Sequence, residues 1–296
     1  MKAAGIKNQF PDKGKKELPV HSLAQAEFPV FVKDIAYKNP YDFTCEHRHT
    51  YFEIFFFETG GGRQLIDFTE LPVLSNSCYI VFPQQVHLLQ RDAKSSGMLL
   101  QFSGECIPSE QIKNLLRQAS FGMNAAVLFE RDAQKIKQLK QVVLLLKDAT
   151  EKPASYSHEI TTHYLSALLF QLMQFSEVTA QYIFTEDRKL LYSFQLLLEE
   201  QFLKNHSVQH YASLLNTTER KLSEITKKYF GLNPLHVIHN RLLLEAKRMI
   251  LFEDTSHKEI AFHLGFDSPA SFSQFIKNKT GLAPSDLKKQ LVKIHK

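Results

Sequence analysis

The sequence is poor in the features that mark several large classes of protein. Its 296 residues include no tryptophan, 11 glycines, 11 prolines and three cysteines. The cysteines, Cys45, Cys78 and Cys106, are odd in number and widely spaced, and they form no CxxC pair. This usage predicts reduced thiols, and neither a disulfide framework nor a zinc knuckle. The average overall composition excludes collagen-like repeats and wholesale disorder.

Long apolar runs are also missing. No stretch approaches the roughly 20 apolar residues that are needed to span a bilayer. The N-terminal sequence MKAAGIKNQFPDKGKKELPV is charged and lacks the apolar core of a signal peptide. We therefore expect a cytoplasmic protein with no membrane partner. With 44% hydrophobic residues, the chain has enough apolar side chains for about two domains.

Charge is distributed unevenly along the chain. Residues 188–296 carry 17 Lys and Arg against 10 Asp and Glu, a net charge of +7. Residues 1–187 carry 19 Lys and Arg against 21 Asp and Glu, a net charge of −2. The positive charge of the last third favours a polyanionic partner there.

The N-terminal part reads as short strands. Aromatic and β-branched runs such as YFEIFFFETG, RQLIDF, CYIVFP and MLLQFSG are separated by Gly, Pro, Asn and Ser between about residues 28 and 102. Strands at this spacing indicate a sandwich or a small barrel.

Two amphipathic helices follow the predicted strands. The segment AQKIKQLKQVVLLLK places Ile136, Leu139, Val143 and Leu146 on one helical face. The segment from Ser157 to Phe175 is a longer helix with apolar residues on most sides. Both helices need a partner surface, which is the β domain, a second protomer, or both.

The last third contains an internal repeat. The phrase Gly-Leu-x-Pro occurs at residues 231–234 and again at residues 281–284. A shift of 50 pairs Ser223 with Ser273 and Lys227 with Lys277. It also pairs the apolar positions Leu222 with Phe272 and Ile225 with Phe275, which we expect in the core. Further upstream the shift becomes 49, so the extra residue falls in the connection between two helices.

Each copy has the pattern of a helix-turn-helix. Ser207 and Ser256 are predicted N-caps of a short helix. After a tight turn, Thr218 in the first copy and Ser268 with Pro269 in the second open another helix. Gly231 and Gly281 then end these second helices in the left-handed conformation. We refer to residues 207–230 as head 1 and to residues 256–280 as head 2; the second helix of each is its recognition helix.

A predicted helix through LHVIHNRLLLEAKRMILF joins the heads. About 17 residues at 1.5 Å each make it roughly 25 Å long. Such a spacer suits two recognition helices that enter successive major grooves on one face of a duplex. An all-helical bundle that binds no DNA would explain neither the duplication nor the charge.

The last third resembles the AraC/XylS family of bacterial transcription factors. The resemblance covers about residues 189–290, and its signature is IAFHLGFDSPASFSQFIKNKTGLAPSDLK, with NRLLLEAKRMI similar to the family's linker helix. It implies a transcriptional regulator that binds double-stranded promoter DNA as a homodimer and responds to a small-molecule effector. It also implies contact with RNA polymerase where the regulator activates, with no enzymatic activity and no cofactor.

The recognition helices supply the candidate DNA contacts. Arginine can pair with guanine, glutamine with adenine, and glutamate with cytosine, whereas lysines more often meet phosphates. The candidates for base contacts are Arg220, Ser223, Glu224, Ala270, Ser271, Ser273 and Gln274. The candidates for phosphate contacts are Lys227, Lys228 and Lys277.

A second motif lies among the predicted strands. HRHTYFEIFFFETG has the spacing HxH-x3-E-x6-G, and FPQQVHLLQ adds Pro83 and a further histidine. These segments resemble the two motifs of the cupin barrel, in which such side chains hold a divalent metal or line a metal-free effector pocket. The candidate effector-pocket residues, which are also the residues of any metal site, are His47, His49, Glu53 and His87.

The sequence therefore predicts an α+β protein of two domains. The N-terminal domain is a cupin-like β-barrel with two helices, and the C-terminal domain is all-α with two helix-turn-helix motifs joined by a linker helix. The predicted segments are an N-terminal arm at 1–27, a sensor domain at 28–130, a helical dimerisation or packing segment at 131–176, a linker at 177–187 and a DNA-binding domain at 188–290. The alternative to a one-component regulator is a cupin metalloenzyme with a DNA-binding appendage.

Overall fold

The computed structural model describes residues 18–23, 28–35, 46–113, 116, 127–129, 133–152, 154–175 and 186–294. The chain divides into two compact units. Unit 1 comprises the described residues up to 175, and unit 2 comprises those from 186 onward.

Unit 1 contains sheets and two long helices. Its strands are β1 (Val20–His21), β2 (Val30–Ile35), β3 (Arg48–His49), β4 (Phe52–Thr59), β5 (Gly62–Ile66), β6 (Thr69–Pro72), β7 (Ser77–Val81), β8 (His87–Arg91), β9 (Ser96–Phe102) and β10 (Val127–Phe129). Its long helices are α1 (Ala133–Glu151) and α2 (Ser157–Phe175).

The described strands form three sheets. The largest has the order β10–β7–β4–β9–β2, a second has the order β6–β5–β8, and β1 pairs in parallel with β3. Hydrogen bonds among the described strands do not join these sheets into one closed barrel. The α+β class predicted from the sequence is confirmed, and the cupin-like barrel stays a prediction.

The core of unit 1 lies between the two larger sheets. A cluster of buried apolar side chains combines Phe55, Phe57, Tyr79 and Leu99 from the five-stranded sheet with Ile66 from the three-stranded one. Because alternate residues of a strand point to opposite faces, Ile54 and Phe56 lie on the other face of β4, where they are buried as well.

Helix α1 packs against β2, β4 and α2. The four apolar residues predicted to share one face of α1 are its buried residues. On its polar side, the Lys147 ammonium lies 2.6 Å from the Asp34 carboxylate of β2, and Lys140 pairs with Glu58 of β4. The sequence left open whether these helices pack on the β domain, on a second protomer or on both. Helix α1 packs on the strands of unit 1.

Unit 2 is helical. Its helices are α3 (Glu186–Gln201), α4 (Val208–Leu214), α5 (Glu219–Phe230), α6 (Pro234–Phe252), α7 (His257–His263), α8 (Pro269–Thr280) and α9 (Pro284–Ile294). Head 1 thus contains α4 and α5, head 2 contains α7 and α8, and α6 joins them. Of the predicted linker at 177–187, only Glu186 and Asp187 lie within the described residues, and they open α3.

Two of the three cysteines are described. Cys78 and Cys106 are buried free thiols, and burial raises the pKa of Cys106 to about 11. Cys45 lies outside the described residues. No helix of the described part of the chain is long and apolar enough to cross a membrane.

Candidate functional site

The N-terminus of each head is capped as the sequence predicts. The Ser207 hydroxyl accepts a hydrogen bond from the His210 backbone N–H at 3.2 Å, which begins α4. The Ser256 hydroxyl does the same for the Glu259 N–H, and the Glu259 carboxylate accepts from the Ser256 N–H at 2.8 Å. Head 2 therefore begins with a complete capping box.

The recognition helices also begin and end as predicted. Thr218 caps α5, and Ser268 caps α8, whose first residue is Pro269. Gly231 and Gly281 end these helices with φ of 69° and 77°. An L side chain is strained in this left-handed conformation, so the backbone geometry favours glycine at both positions.

The turn inside each head is repeated in backbone conformation although its sequence differs. Asn216 in head 1 has φ of 49°, and Gly265, which pairs with it at the shift of 49, has φ of 75°. A Cβ atom on Gly265 would lie 2.2 Å from the Leu203 carbonyl oxygen. The turn of head 2 therefore packs against the backbone that follows α3, where only glycine fits.

The buried faces of the recognition helices differ from the sequence prediction at one position. Leu222, Ile225 and Phe272 are fully buried, as predicted. The prediction that Phe275 is the counterpart of Ile225 in the core is wrong, because Ile276 is fully buried on α8 and Phe275 is only partly buried. The reason is an aromatic site at the edge of the core, in which the Phe275 ring packs on Phe266 and on His239 of α6 at centroid distances of 5.2 and 5.3 Å.

The exposed faces of the two recognition helices correspond position by position at a shift of 50. Most of the predicted contact residues lie on these faces, whereas Ser223 and Ser273 are half-buried at their edges. Two further exposed positions, Lys221 and Asn278, were not predicted, although the repeat and the i, i+4 spacing point to both. The exposed pairs are Arg220 with Ala270, Lys221 with Ser271, Glu224 with Gln274, Lys227 with Lys277, and Lys228 with Asn278.

Head 1 carries charged pairs on this face. The Arg220 guanidinium donates to the Glu224 carboxylate at 3.1 Å. Lys221 and Lys228 donate to the two carboxylate oxygens of Asp187 at 2.7 and 3.3 Å. The two lysines hold the pKa of Asp187 below its usual value, and Asp187 in turn raises the pKa of Lys221.

Head 2 carries neutral hydrogen bonds on the same face. The Gln274 side-chain N–H donates to the Asn278 side-chain oxygen at 2.7 Å. The hydroxyls of Ser268 and Ser271 lie 2.9 Å apart at the start of α8. The two heads share a fold and present different chemistry on it.

Helix α6 is held to α3 by a charged network. The Arg241 guanidinium donates to Glu199 of α3 at 2.8 Å and lies over the Phe202 ring at 3.9 Å. Glu245 accepts from both Arg241 and Arg248 at 3.1 Å, and Glu245 and Arg248 are buried. Removing one partner of such a buried pair leaves an uncompensated charge, so the network stabilises the helix between the heads.

Unit 1 gathers the predicted motif residues into one buried group. His49 on β3, Glu53 on β4 and His87 on β8 are all at most 2% exposed, and His47 pairs with His87 through backbone hydrogen bonds. We call these four residues the histidine cluster. His21 on β1 adds a ring at 5.2 Å from the His47 ring.

Glu53 lies at the centre of the histidine cluster. One carboxylate oxygen is 3.4 Å from His49 Nε2 and 3.5 Å from His87 Nε2. The other oxygen accepts a hydrogen bond at 2.7 Å from the Gln101 side chain of β9. His49 Nδ1 lies 2.6 Å from the Tyr51 carbonyl oxygen, which can only accept, so Nδ1 carries a proton. His49 Nε2 and His87 Nε2 thus face the same Glu53 oxygen, an arrangement that a shared cation would suit.

The ligand atoms of His49, Glu53 and His87 lie within 4.8 Å of one another. Two imidazoles and a carboxylate suit divalent transition metals. The hydrogen bonds from His49 to Tyr51 and from Gln101 to Glu53 are the outer-shell contacts that orient such ligands. These residues therefore fit a metal ion, which would polarise whatever small molecule it bound.

Polar groups around the histidine cluster also fit a small molecule. Neither ring nitrogen of His87 has a hydrogen-bond partner among the described residues, nor has either amide atom of the fully buried Gln64. Burial, together with the neighbouring histidines, holds the pKa of His87 well below its usual value. Gln64 and Gln101 were not predicted, because only the pairing of β5 and β9 with other strands brings them into unit 1's interior.

Comparison with known proteins agrees with these features. A family model described as "Helix-turn-helix domain" matches residues 211–290. HTH-type transcriptional activator RhaS of Salmonella schwarzengrund is 23% identical over 256 residues, which cover 82% of this chain and 87% of the relative. RhaS of Klebsiella pneumoniae matches with the same identity and coverage.

Among solved structures, ToxT from Vibrio cholerae O395 is 16% identical, with 89% of this chain and 98% of that chain covered, at a TM-score of 0.41. A TM-score of 0.41 is too low for this likeness to support any conclusion about the fold or the function. The helix-turn-helix match contains both recognition helices, and the RhaS relatives extend over both units. Residues 211–290 therefore match a helix-turn-helix domain, and the chain as a whole is similar to transcriptional activators named RhaS.

Proposed function

We propose that the protein is a ligand-responsive homodimer in which both heads read promoter DNA and unit 1 binds the effector. The observation that carries this proposal is the correspondence of exposed positions on α5 and α8 at the shift of 50. The exposed faces of α5 and α8 have the same backbone arrangement and different side chains. They therefore suit a DNA site whose two half-sites differ in sequence. Binding to chromosomal DNA also implies the cytoplasm as the place of action.

The chemistry of each face suggests what it reads. In head 1, Arg220 suits guanine and Glu224 suits the amino group of cytosine. In head 2, Gln274 suits adenine, the Ala270 methyl suits the thymine methyl, and the hydroxyls of Ser271 and Ser273 can meet either base type. Ser223 plays the same part in head 1. Lys227, Lys228 and Lys277 suit phosphates, which set affinity and salt dependence.

Binding measurements on single variants separate these two roles. Gln274→Ala should weaken binding to the cognate site and leave nonspecific binding unchanged, because an adenine contact carries sequence information. Lys277→Ala should weaken binding to both DNAs and lower the slope of log affinity against log salt by about one unit. Equal losses on both DNAs for Gln274→Ala would exclude base reading by that residue.

In unit 1, we propose that the histidine cluster and its neighbours form the effector site. The buried amide of Gln64 and the ring of His87 offer donors and acceptors that lack hydrogen-bond partners within the described residues. Apolar side chains lie beside His87, with the Phe55 ring at a centroid distance of 6.4 Å and Ile66 as the partner of His87 in the sheet. This environment suits a small molecule with several hydrogen-bonding groups and an apolar face.

A second candidate function follows from the fit of the histidine cluster to a metal ion. In a metal-responsive regulator, or in a cupin metalloenzyme with a DNA-binding appendage, His47, His49, Glu53 and His87 would hold the ion. The close approach of three ligand atoms supports this candidate. The effector-site proposal is preferred because the Gln64 amide, which has no hydrogen-bond partner among the described residues, calls for hydrogen-bonding groups rather than for an ion.

Elemental analysis of the purified full chain distinguishes these candidates. Stoichiometric metal that is lost in His49→Ala and retained in the exposed control His263→Ala would support a metal site. Metal-free protein that still binds DNA would exclude the metalloenzyme and leave the effector site. Thermal stabilisation by a small molecule, abolished by Gln64→Leu, would then support the effector site directly.

We assign the dimer contact to the solvent-facing stripe of α2. From Ile160 onward its exposed positions recur at heptad spacing, and they include two large apolar side chains, Ile160 at 40% and Phe170 at 41% exposure. His163, Ala167 and Gln174 complete the stripe. Apolar residues at this spacing form a seam between two helices.

Sedimentation of charged variants tests the assignment. Ile160→Glu and Phe170→Glu should convert the dimer into a monomer, because each would bury a charge in the seam. Leu144→Glu, at an exposed apolar position of α1, is the matched control and should stay dimeric. A monomeric wild-type chain, or monomers produced by Leu144→Glu alone, would contradict the α2 interface.

The relatives suggest the direction of regulation. RhaS is named as a transcriptional activator, and we propose that this protein also activates, which requires contact with RNA polymerase. A reporter fused to the bound promoter should lose expression when the gene for this protein is deleted. Increased expression on deletion would indicate a repressor instead.

A further inference from the structure

We propose that Asn278 is a positioning residue for base reading by head 2, and that it orders the Gln274 side chain for recognition of adenine. The inference rests on the proposed reading of DNA by Gln274. Asn278 lies four residues after Gln274 on the exposed face of α8. Its side-chain oxygen accepts the Gln274 N–H at 2.7 Å.

The hydrogen bond leaves the adenine-reading groups of Gln274 available. A glutamine reads adenine by donating one N–H to N7 and by accepting from the N6 amino group. The Gln274 amide nitrogen has two hydrogens, and the bond to Asn278 uses one of them. The second hydrogen and the amide oxygen can therefore meet adenine while Asn278 holds the amide in place.

Pre-ordering matters because glutamine is flexible. A free glutamine side chain loses rotamer freedom when it binds a base, and this loss weakens the contact. The bond to Asn278 removes part of that freedom before DNA arrives. The amide plane is also fixed, so exchange of its donor and acceptor positions, which would suit a different base, becomes less favourable.

Comparison of the heads gives independent support. In head 1 the counterpart of Asn278 is Lys228, which donates to Asp187. Glu224 is instead held from the preceding turn by Arg220. In head 2 the preceding position is Ala270, whose methyl group cannot form a hydrogen bond, and support for Gln274 comes from the following turn. The side chain at the central position is thus held from the preceding turn in head 1 and from the following turn in head 2.

The test uses the full chain and fluorescent duplexes that carry its selected site, with the adenine at the Gln274 position replaced in turn by each other base. Asn278→Ala should reduce discrimination for adenine roughly two- to tenfold, which is the effect of losing the order of one flexible side chain. Affinity for nonspecific DNA should stay unchanged. Asn278→Asp, which retains the accepting oxygen, should restore the discrimination.

A double variant separates positioning from direct contact. In the Gln274→Ala background, Asn278→Ala should cause no further loss of discrimination, since the residue that it positions is gone. Unchanged discrimination in Asn278→Ala, or equal losses on specific and nonspecific DNA, would overturn the proposal. If Gln274→Ala itself left discrimination unchanged, the proposed base reading by Gln274 would fail. If only Asn278→Ala did so, the positioning role alone would fail.

Discussion

At the scale of single residues, His239 connects head 2 to the helix between the heads. Its ring packs edge-on against Phe275 of the recognition helix α8. Burial, followed by the nearby positive charge of Lys279 and by His206 and His236, lowers the pKa of His239 to about 4. The folded protein therefore keeps this ring neutral at pH values at which the unfolded chain would bind a proton.

This pKa predicts that unit 2 loses stability as the pH falls. Between about pH 6.5 and pH 4 the unfolded state binds the proton more readily than the folded state does, so the free energy of unfolding decreases with decreasing pH. His239→Gln should reduce this dependence, whereas His263→Gln, at an exposed position of α7, should leave it as in the wild type. Hydrogen exchange of α6 and α8, corrected for the intrinsic pH dependence of exchange, measures the effect. Equal pH dependence in His239→Gln and wild type would contradict it.

The sequence identified functional residues where a local pattern marks them. Gln274 and Lys277 were identified because the repeat fixes which face of the recognition helix is buried. The repeat and the i, i+4 spacing point to an exposed Asn278 beside Gln274, but only the structure shows the hydrogen bond between the two side chains. Gln64 and Gln101 were missed because strand pairing is nonlocal, and no sequence spacing relates them to His49 or Glu53.

At the scale of elements, the turn of head 2 is more constrained than the glycines that end the recognition helices. Gly265 and Gly231 both have left-handed backbone conformations. A Cβ atom on Gly231 would meet no atom within 4 Å beyond its own neighbouring backbone, whereas one on Gly265 would overlap the Leu203 carbonyl. Alanine at Gly231 therefore adds backbone strain alone, whereas alanine at Gly265 adds both backbone strain and steric overlap.

Gly231→Ala should lower the stability of unit 2 by about 1–2 kcal/mol, the strain of one alanine in the left-handed region. Gly265→Ala should cost roughly 3 kcal/mol or more, because the backbone near Leu203 must also move. Hydrogen exchange of α3, α7 and α8 in the full chain gives both values. Equal destabilisation by the two substitutions would contradict the contact between the turn and Leu203.

The elements themselves were predictable to different degrees. The caps at Ser207, Ser256 and Thr218 follow from neighbouring residues alone, and the structure agrees at each. The sheets of unit 1 depend on pairings such as β2 with β9, whose partners are about 65 residues apart, and local pattern cannot specify these. Hence the helical unit was anticipated in detail, whereas the N-terminal part was anticipated only as strands followed by two helices.

At the scale of the whole molecule, charge and repetition coincide in the same unit. The net charge of +7 lies in the part of the chain that holds the two heads, and the other part has a net charge of −2. Helix α6, with 19 residues, is roughly 28 Å long. It is of the order of the 34 Å between successive major-groove segments on one face of B-DNA. The central claim is that both heads read one duplex and read different bases.

Selection of bound sites from a random DNA pool with the full chain tests this claim most directly. We predict an enriched site with two different half-sites about 10 base pairs apart, the spacing of one helical turn. The half-site for head 2 should contain an adenine whose enrichment disappears in Gln274→Ala, while Glu224→Ala alters only the other half-site. Enrichment of a single half-site, or of no sequence at all, would contradict the account.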